Sequence, residues 1–129
     1  LPDNVEMRLF DFSELRVLYQ QADITVLTVL PNDYAAGSTS LLEAVACGSP
    51  VIMTQGVGTP QEFIDDGLIV GVPATDVDGL RNAIVEVLAD REAASGRSER
   101  ARERVLSAHS KHGYIEGLNT ALVAFQSGS

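Results

Sequence analysis

The chain has 129 residues, 45% of them hydrophobic and 21% charged, enough for one globular core and too few for two domains of average size. Nine Lys and Arg stand against eighteen Asp and Glu, a net charge of -9, which excludes holding nucleic acid or an anionic membrane by bulk electrostatics. The longest apolar run, residues 24–30, is interrupted by Thr25 and Thr28 and falls far short of the ~20 residues that a membrane span needs.

In chain order, residues 5–10 read as a short strand. Ser13 then offers a hydroxyl N-cap to a helix carrying Leu15, Leu18 and Ala22 at helical spacing. Residues 24–30 are β-branched and nearly all apolar, bounded by Asp23 and Pro31, the pattern of a strand covered on both faces in a parallel sheet. Small residues from Ala35 to Ser40 lead into Leu41, Leu42, Val45 and Ala46, the buried stripe of a helix that Gly48 stops. Residues 50–54 form the next buried strand, and a loop through Gly58 and Pro60 leads to a helical turn at residues 62–64. Asp65, Asp66 and Gly67 make a turn. A fourth strand spans residues 68–72, and Asp76 caps a helix with Val77, Leu80, Ile84, Val87 and Leu88 on one face. Helical pattern continues after Ser98 and through Ile115, Leu118, Leu122 and Phe125, with a fraying tail at residues 127–129. Strands alternating with helices imply right-handed βαβ units: an α/β fold with a parallel sheet of about four strands, flanking helices and C-terminal helices. Four strands are fewer than the five or six of a usual open nucleotide-binding sheet. Together with an opening on Leu1 and Pro2 rather than Met, this points to a single, incomplete domain over residues 1–129, part of a longer protein.

Charge is unevenly placed. Residues 1–90 hold three bases and fourteen acids, and residues 91–129 hold six bases and four acids. Arg97, Arg100, Arg102 and Arg104, with Glu99 and Glu103 between, read as a solvated helix face paired at three and four residues. Cys47 has no partner for a disulfide and reads as a small buried hydrophobe, a usage that fits a reducing, cytoplasmic compartment. His109 and His112 read as exposed groups near helix ends, and Asp65 and Asp66 lack a third ligand at metal-binding spacing. No metal site is expected.

The segment from Gly37 to Glu43 carries the chemistry. A glycine followed by hydroxyl residues at a helix start, directly after a buried parallel strand, aims unpaired N–H groups at the carboxyl edge of the sheet, and Ser38 and Thr39 add donors. That arrangement suits a phosphate. The same spacing also fits Ser38 as an ordinary helix cap. Glu43, between Leu42 and Ala44, requires a partner or a ligand hydroxyl if it is buried, and is otherwise a solvated carboxylate.

Residues 41–52, Leu-Leu-Glu-Ala-Val-Ala-Cys-Gly-Ser-Pro-Val-Ile, resemble the LLEAMACGxPVI block of the retaining GT-B glycosyltransferases known as glycosyl transferases group 1. Glu14, Leu15, Leu18, Tyr19, Ala22 and Asp23 are similar to that family's approach to the strand, and Gly58, Pro60, Glu62 and Ile64 to a lengthened form of its GGxPExI loop. Asp65, Asp66 and Gly67 resemble its DG turn, and Asp76, Leu80, Ala83 and Ile84 its closing helix, so the likeness covers residues 5–125. It implies the later part of a Rossmann-like C-terminal domain that binds a nucleoside-diphosphate sugar, in a parent enzyme that transfers the sugar to an acceptor. Carried over residue by residue, Gly37, Ser38 and Thr39 face the donor diphosphate and Glu43 accepts from the ribose hydroxyls, with no separate cofactor. Ala35 stands where the family's E-x7-E pattern has its first carboxylate. In the family's sheet order, 3-2-1-4-5-6, residues 5–10 are strand three and residues 24–30 strand four. The two strands between them are absent here, so self-association or rearrangement of the chain is expected at that edge. Two rivals stay open: a sugar-nucleotide epimerase of GT-B fold, and a non-catalytic scaffold, which Ala35 favours. The parent is expected in the cytoplasm, at most peripheral to a membrane.

Overall fold

The structure is a computed structural model and describes residues 1–30, 36–56, 60–108 and 111–128, the Phe125 side chain excepted. Three parallel strands, β1 (Thr25–Leu27), β2 (Val51–Gln55) and β3 (Val70–Pro73), lie in the order β1-β2-β3. Thr25 pairs with Val51 and Leu27 with Met53, and Ile52 pairs with Val70 and Thr54 with Val72. The helices are α1 (Phe12–Gln21), α2 (Ser38–Ala46), α3 (Gln61–Asp65), α4 (Val77–Ala89), α5 (Arg91–Ala108) and α6 (Lys111–Ser127). The α/β class and the parallel sheet agree with the sequence, whereas the strand count among the described residues is three.

The missing strand is the one expected at residues 5–10. Met7 and Leu9 are exposed, the Val5 N–H closes a turn on the Pro2 carbonyl at 2.9 Å, and Arg8 stacks over the Phe10 ring. An apolar stretch with no neighbouring strand has nothing to offset the loss of backbone freedom. The cap of α1 also moves. Asp11, not Ser13, accepts the Glu14 N–H at 2.8 Å, and the Glu14 carboxylate accepts the Asp11 N–H at 3.0 Å, a reciprocal capping box.

The helices α2 and α3 end alike. Gly48 donates to Val45 and Ser49 to Ala44; Gly67 donates to Ile64 and Leu68 to Phe63. Both glycines have positive φ, 82° and 66°, as a left-handed cap residue must. Beyond β3, Asp76 accepts the Gly79 N–H at 2.9 Å and starts α4 as expected.

The pleat of β2 divides the core. Val51 and Met53 enter a cluster with Leu41, Ala44 and Val45 of α2, Phe63 of α3, and Ala101 and Val105 of α5. Ile52 enters a second cluster with Val72, Ala83 and Val87 of α4, and Ala94 of α5. The sheet is thus covered on both sides, which is why its central strand is apolar nearly throughout. The buried face of α4 is Leu80, Ala83, Ile84 and Val87, with Val77 exposed. Ile115, Leu118 and Leu122 of α6 are exposed as well.

The arginines of α5 correct the expectation of a solvated, self-paired face. Among the described residues only Arg102–Glu99, at 3.8 Å, is such a pair, while Arg102 also donates to the Ala46 carbonyl at the end of α2. Arg104 reaches Asp66 at 2.9 Å, and Arg91 reaches Asp23 at 2.6 Å.

The outer edge of β1 pairs with no strand among the described residues. An open edge of this kind is a template for another chain, and a charge beside it blocks pairing. Sedimentation velocity is expected to show association that grows with concentration, and Val26→Lys to reduce it; a monomer at all concentrations refutes this.

Candidate functional site

Gly37 is the N-cap residue of α2 and adopts the left-handed conformation, φ 80°. A Cβ built there would lie 2.9 Å from Val29 Cγ2 and 3.2 Å from Met53 Cε, so the backbone rests directly on the side chain of Met53 in β2 and on that of Val29, just past β1. The first bond of the helix runs from the Leu41 N–H to the Gly37 carbonyl at 2.8 Å. The amides of Ser38, Thr39 and Ser40 therefore precede the ladder and have no acceptor within the helix. The cap position is Gly37, which has no side chain to cap with, and Ser38 is the first helical residue rather than the N-cap. The first turn of α2 carries no acidic residue, unlike those of α1, α3, α4 and α5, so the positive end of its dipole is not offset. On the α4 side of the same edge lies a cavity of about 330 Å3, lined by Val29, Leu30, Thr54 and Leu80.

Beyond Gly37, Ser38 is half-buried and Thr39 exposed, and Glu43 is half-buried one turn further on. Because helical side chains lean toward the N-terminus, Glu43 leans over the turn that holds Thr39 and Ser40. Its flank is α1. Phe12, Leu15, Arg16 and Tyr19, spaced i, i+3, i+4 and i+7, face Glu43, Ala46 and Cys47 across a cavity of about 250 Å3. Cys47 is half-buried and lines this cavity rather than lying in the core. Ala35 and Gly58 fall outside the described residues, as does His109. His112 is exposed and lies 3.1 Å from Glu116. Among the described residues, no group of three His, Cys, Asp or Glu is placed to hold a metal ion.

Sequence reasoning misses Tyr19 as a site residue, although its spacing from Leu15 and Phe12 places all three on one face. Burial raises its phenol above the ordinary 10.0, the Glu43 carboxylate adds to the rise, and a hydrogen bond with the Ser40 hydroxyl opposes it. The native chain thus holds this proton more tightly than the unfolded chain. The stability this contributes is complete below the unfolded value and is lost as pH rises through the native one. Glu43→Gln is expected to lower the Tyr19 midpoint. Tyrosinate absorbance, recorded with Tyr34 and Tyr114 replaced by Phe, checks it; an unmoved midpoint separates the two groups.

Comparison with known proteins fits this geometry. Residues 1–104 match the family described as glycosyl transferases group 1. A glycogen synthase of Mycobacterium tuberculosis is 35% identical over 97 residues, 75% of this chain and 23% of that protein. A GDP-mannose-dependent alpha-(1-6)-phosphatidylinositol monomannoside mannosyltransferase of Mycolicibacterium smegmatis is 42% identical over 57 residues, 43% of this chain and 15% of that protein. Among solved structures, sucrose-phosphate synthase from Thermosynechococcus elongatus superposes with a TM-score of 0.74 at 27% identity, over 93% of this chain and 29% of that one. The chain therefore spans less than a third of the length of each of these relatives. No helix among the described residues is long and apolar enough to cross a membrane. With the family match running from residue 1 to residue 104, the chain belongs to the glycosyl transferases group 1 family, of GT-B fold.

Proposed function

We propose that this chain is the donor-binding part of a retaining glycosyltransferase, holding a nucleoside-diphosphate sugar whose sugar passes to an acceptor. The observation that carries the reading is the first turn of α2, set on Val29 and Met53 at the carboxyl edge of the sheet with its amides directed outward. In the transfer, the bond from the sugar carbon to the diphosphate oxygen breaks, and its electron pair leaves on the diphosphate. The acceptor hydroxyl oxygen forms the new bond, and its proton passes to the departing diphosphate. Negative charge grows on the departing oxygens, and prearranged amides at a helix start stabilise that charge without reorganising. Gly37, Ser38 and Thr39 serve the diphosphate, and Glu43 accepts from the ribose hydroxyls. The relatives are named for glycogen, sucrose phosphate and mannose transfer, a range that supports sugar transfer as the shared chemistry and leaves base, sugar and acceptor to be assigned. The parent protein is assigned to the cytoplasm on the same reading.

Titration of UDP, GDP and ADP into the chain, followed by amide NMR, tests this. Shifts at Gly37, Ser38, Thr39 and Glu43 with one base preferred are expected. Glu43→Ala should weaken that nucleotide about tenfold, the size of a hydrogen bond to a charged group. No shift in this segment at millimolar concentrations of all three nucleotides overturns the reading.

A further inference from the structure

The carboxyl end of β2 carries a polar group that the donor reading leaves unused. Val51 and Met53 point to the face covered by α2 and α3, and Gln55, two residues beyond Met53 in the same strand, points the same way. Its amide lies over Gly71, where a built Cβ would stand 3.0 Å from Gln55 Cδ and 2.8 Å from both Cδ1 and Cγ2 of Ile64 in α3. Gly71 is the strand partner of Met53, and the Gly37 backbone rests on the Met53 side chain. The Gln55 amide is therefore level with the start of α2, displaced toward β3 by one strand spacing of about 4.8 Å. It makes no hydrogen bond among the described residues. No buried side-chain nitrogen or oxygen among them lacks a partner, so this amide is open to solvent although the residue is half-buried. Glu43 occupies the other flank of α2, facing α1. The outward amides of the first turn thus have a carboxylate on their α1 side and a neutral amide on their α3 side.

We propose that Gln55 is a specificity-determining residue of the donor site, its side-chain amide hydrogen-bonding the hydroxyls of the sugar to be transferred. The proposal rests on the donor reading above and assigns the end of the donor which that reading leaves open. A nucleoside-diphosphate sugar is connected in the order ribose, diphosphate, sugar. With the diphosphate on the first turn of α2 and the ribose at Glu43, the sugar is carried to the α3 side, where Gln55 lies. A primary amide suits that partner, because it donates and accepts as a hydroxyl does and adds no charge beside the diphosphate.

The test uses the intact chain and three ligands of the preferred base: the free nucleoside diphosphate and its glucose and mannose esters. Gln55→Met keeps the length of the side chain over Gly71 and against Ile64 and removes the amide. It is expected to weaken the better-bound ester about fivefold, the size of one neutral hydrogen bond, and to leave the free diphosphate unchanged. Gln55→Ser removes the same amide without adding apolar surface and should give the same selective loss, so the outcome does not hang on one variant. A loss for the free diphosphate as large as that for the ester, or no loss in either variant, overturns the sugar contact while the donor reading stands. Absence of binding of all three ligands by the unsubstituted chain overturns both.

Discussion

Gly37→Ala is expected to destabilise the chain by roughly 2–5 kcal/mol, because it combines a left-handed backbone cost with crowding in a filled site. The first contribution, about 1–2 kcal/mol, comes from placing an L side chain at φ 80°. The second, about 1–3 kcal/mol, comes from the new Cβ meeting Val29 Cγ2 at 2.9 Å. Val29 is β-branched and held by its backbone, so it yields little; Met53, the other neighbour, can swing aside. Gly67→Ala separates the two contributions. Gly67 has φ 66°, and a Cβ there would meet nothing within 4 Å, so its substitution should lose only about 1–2 kcal/mol. Urea unfolding with an unchanged m-value reads both. Equal losses at the two glycines would mean that α2 does not press on the sheet at Gly37. Nucleotide binding should fall further in Gly37→Ala than in Glu43→Ala, since the first turn of α2 must lift to admit the methyl.

Phe63→Ala should cost about 3–5 kcal/mol, the range for emptying a buried aromatic site. Phe63 is 1% exposed and is the largest fully buried side chain among the described residues, yet it is carried by a helix of five residues. So short a helix is not stable by itself. The ring holds α3 in place, and the Phe63 carbonyl in turn receives the N–H groups of Leu68 and Ile69 at 2.8 and 3.2 Å. Loss of the ring therefore loosens both the helix and the entry to β3. Against a typical domain stability of about 5–15 kcal/mol, the variant should be partly unfolded near room temperature, seen as a urea midpoint shifted well down. A loss below about 1 kcal/mol would show that neighbouring side chains close the cavity.

The buried strands and the glycine-terminated helices are legible in the sequence because few alternatives satisfy an apolar β-branched run or a glycine after a helical stripe. Lengths are less so. Residues 24–30 are apolar enough for a seven-residue strand, but pairing stops at Leu27 because the Thr54 hydroxyl takes both backbone groups of Val29, accepting its N–H and donating to its carbonyl at 2.8 Å each. Residues 68 and 69 have a strand-like pattern, yet their amides complete the cap of α3. The Asp11 and Glu14 capping box stands in the sequence three residues apart, with Ser13 between them as an equally plausible cap on residue type alone. In the candidate site, Gly37 to Thr39 and Glu43 are marked by local spacing, whereas Tyr19 depends on the packing of α1 on α2, which no local pattern specifies. The same holds for the arginines of α5, whose partners are distant in sequence.

Those arginines bear on the order in which the chain can assemble. Arg91 meets a residue 68 positions earlier and Arg102 one 56 positions earlier, and α5 contributes Ala94 to one core cluster and Ala101 and Val105 to the other. Loops of that size close slowly, and a topology dominated by them folds late. While the polypeptide is being synthesised, the sheet and its first helices emerge with Met53 and Phe63 still open on the side that α5 will cover. This strap leaves the ribosome after the two layers that it seals, and until then the nascent chain carries its stickiest surface uncovered.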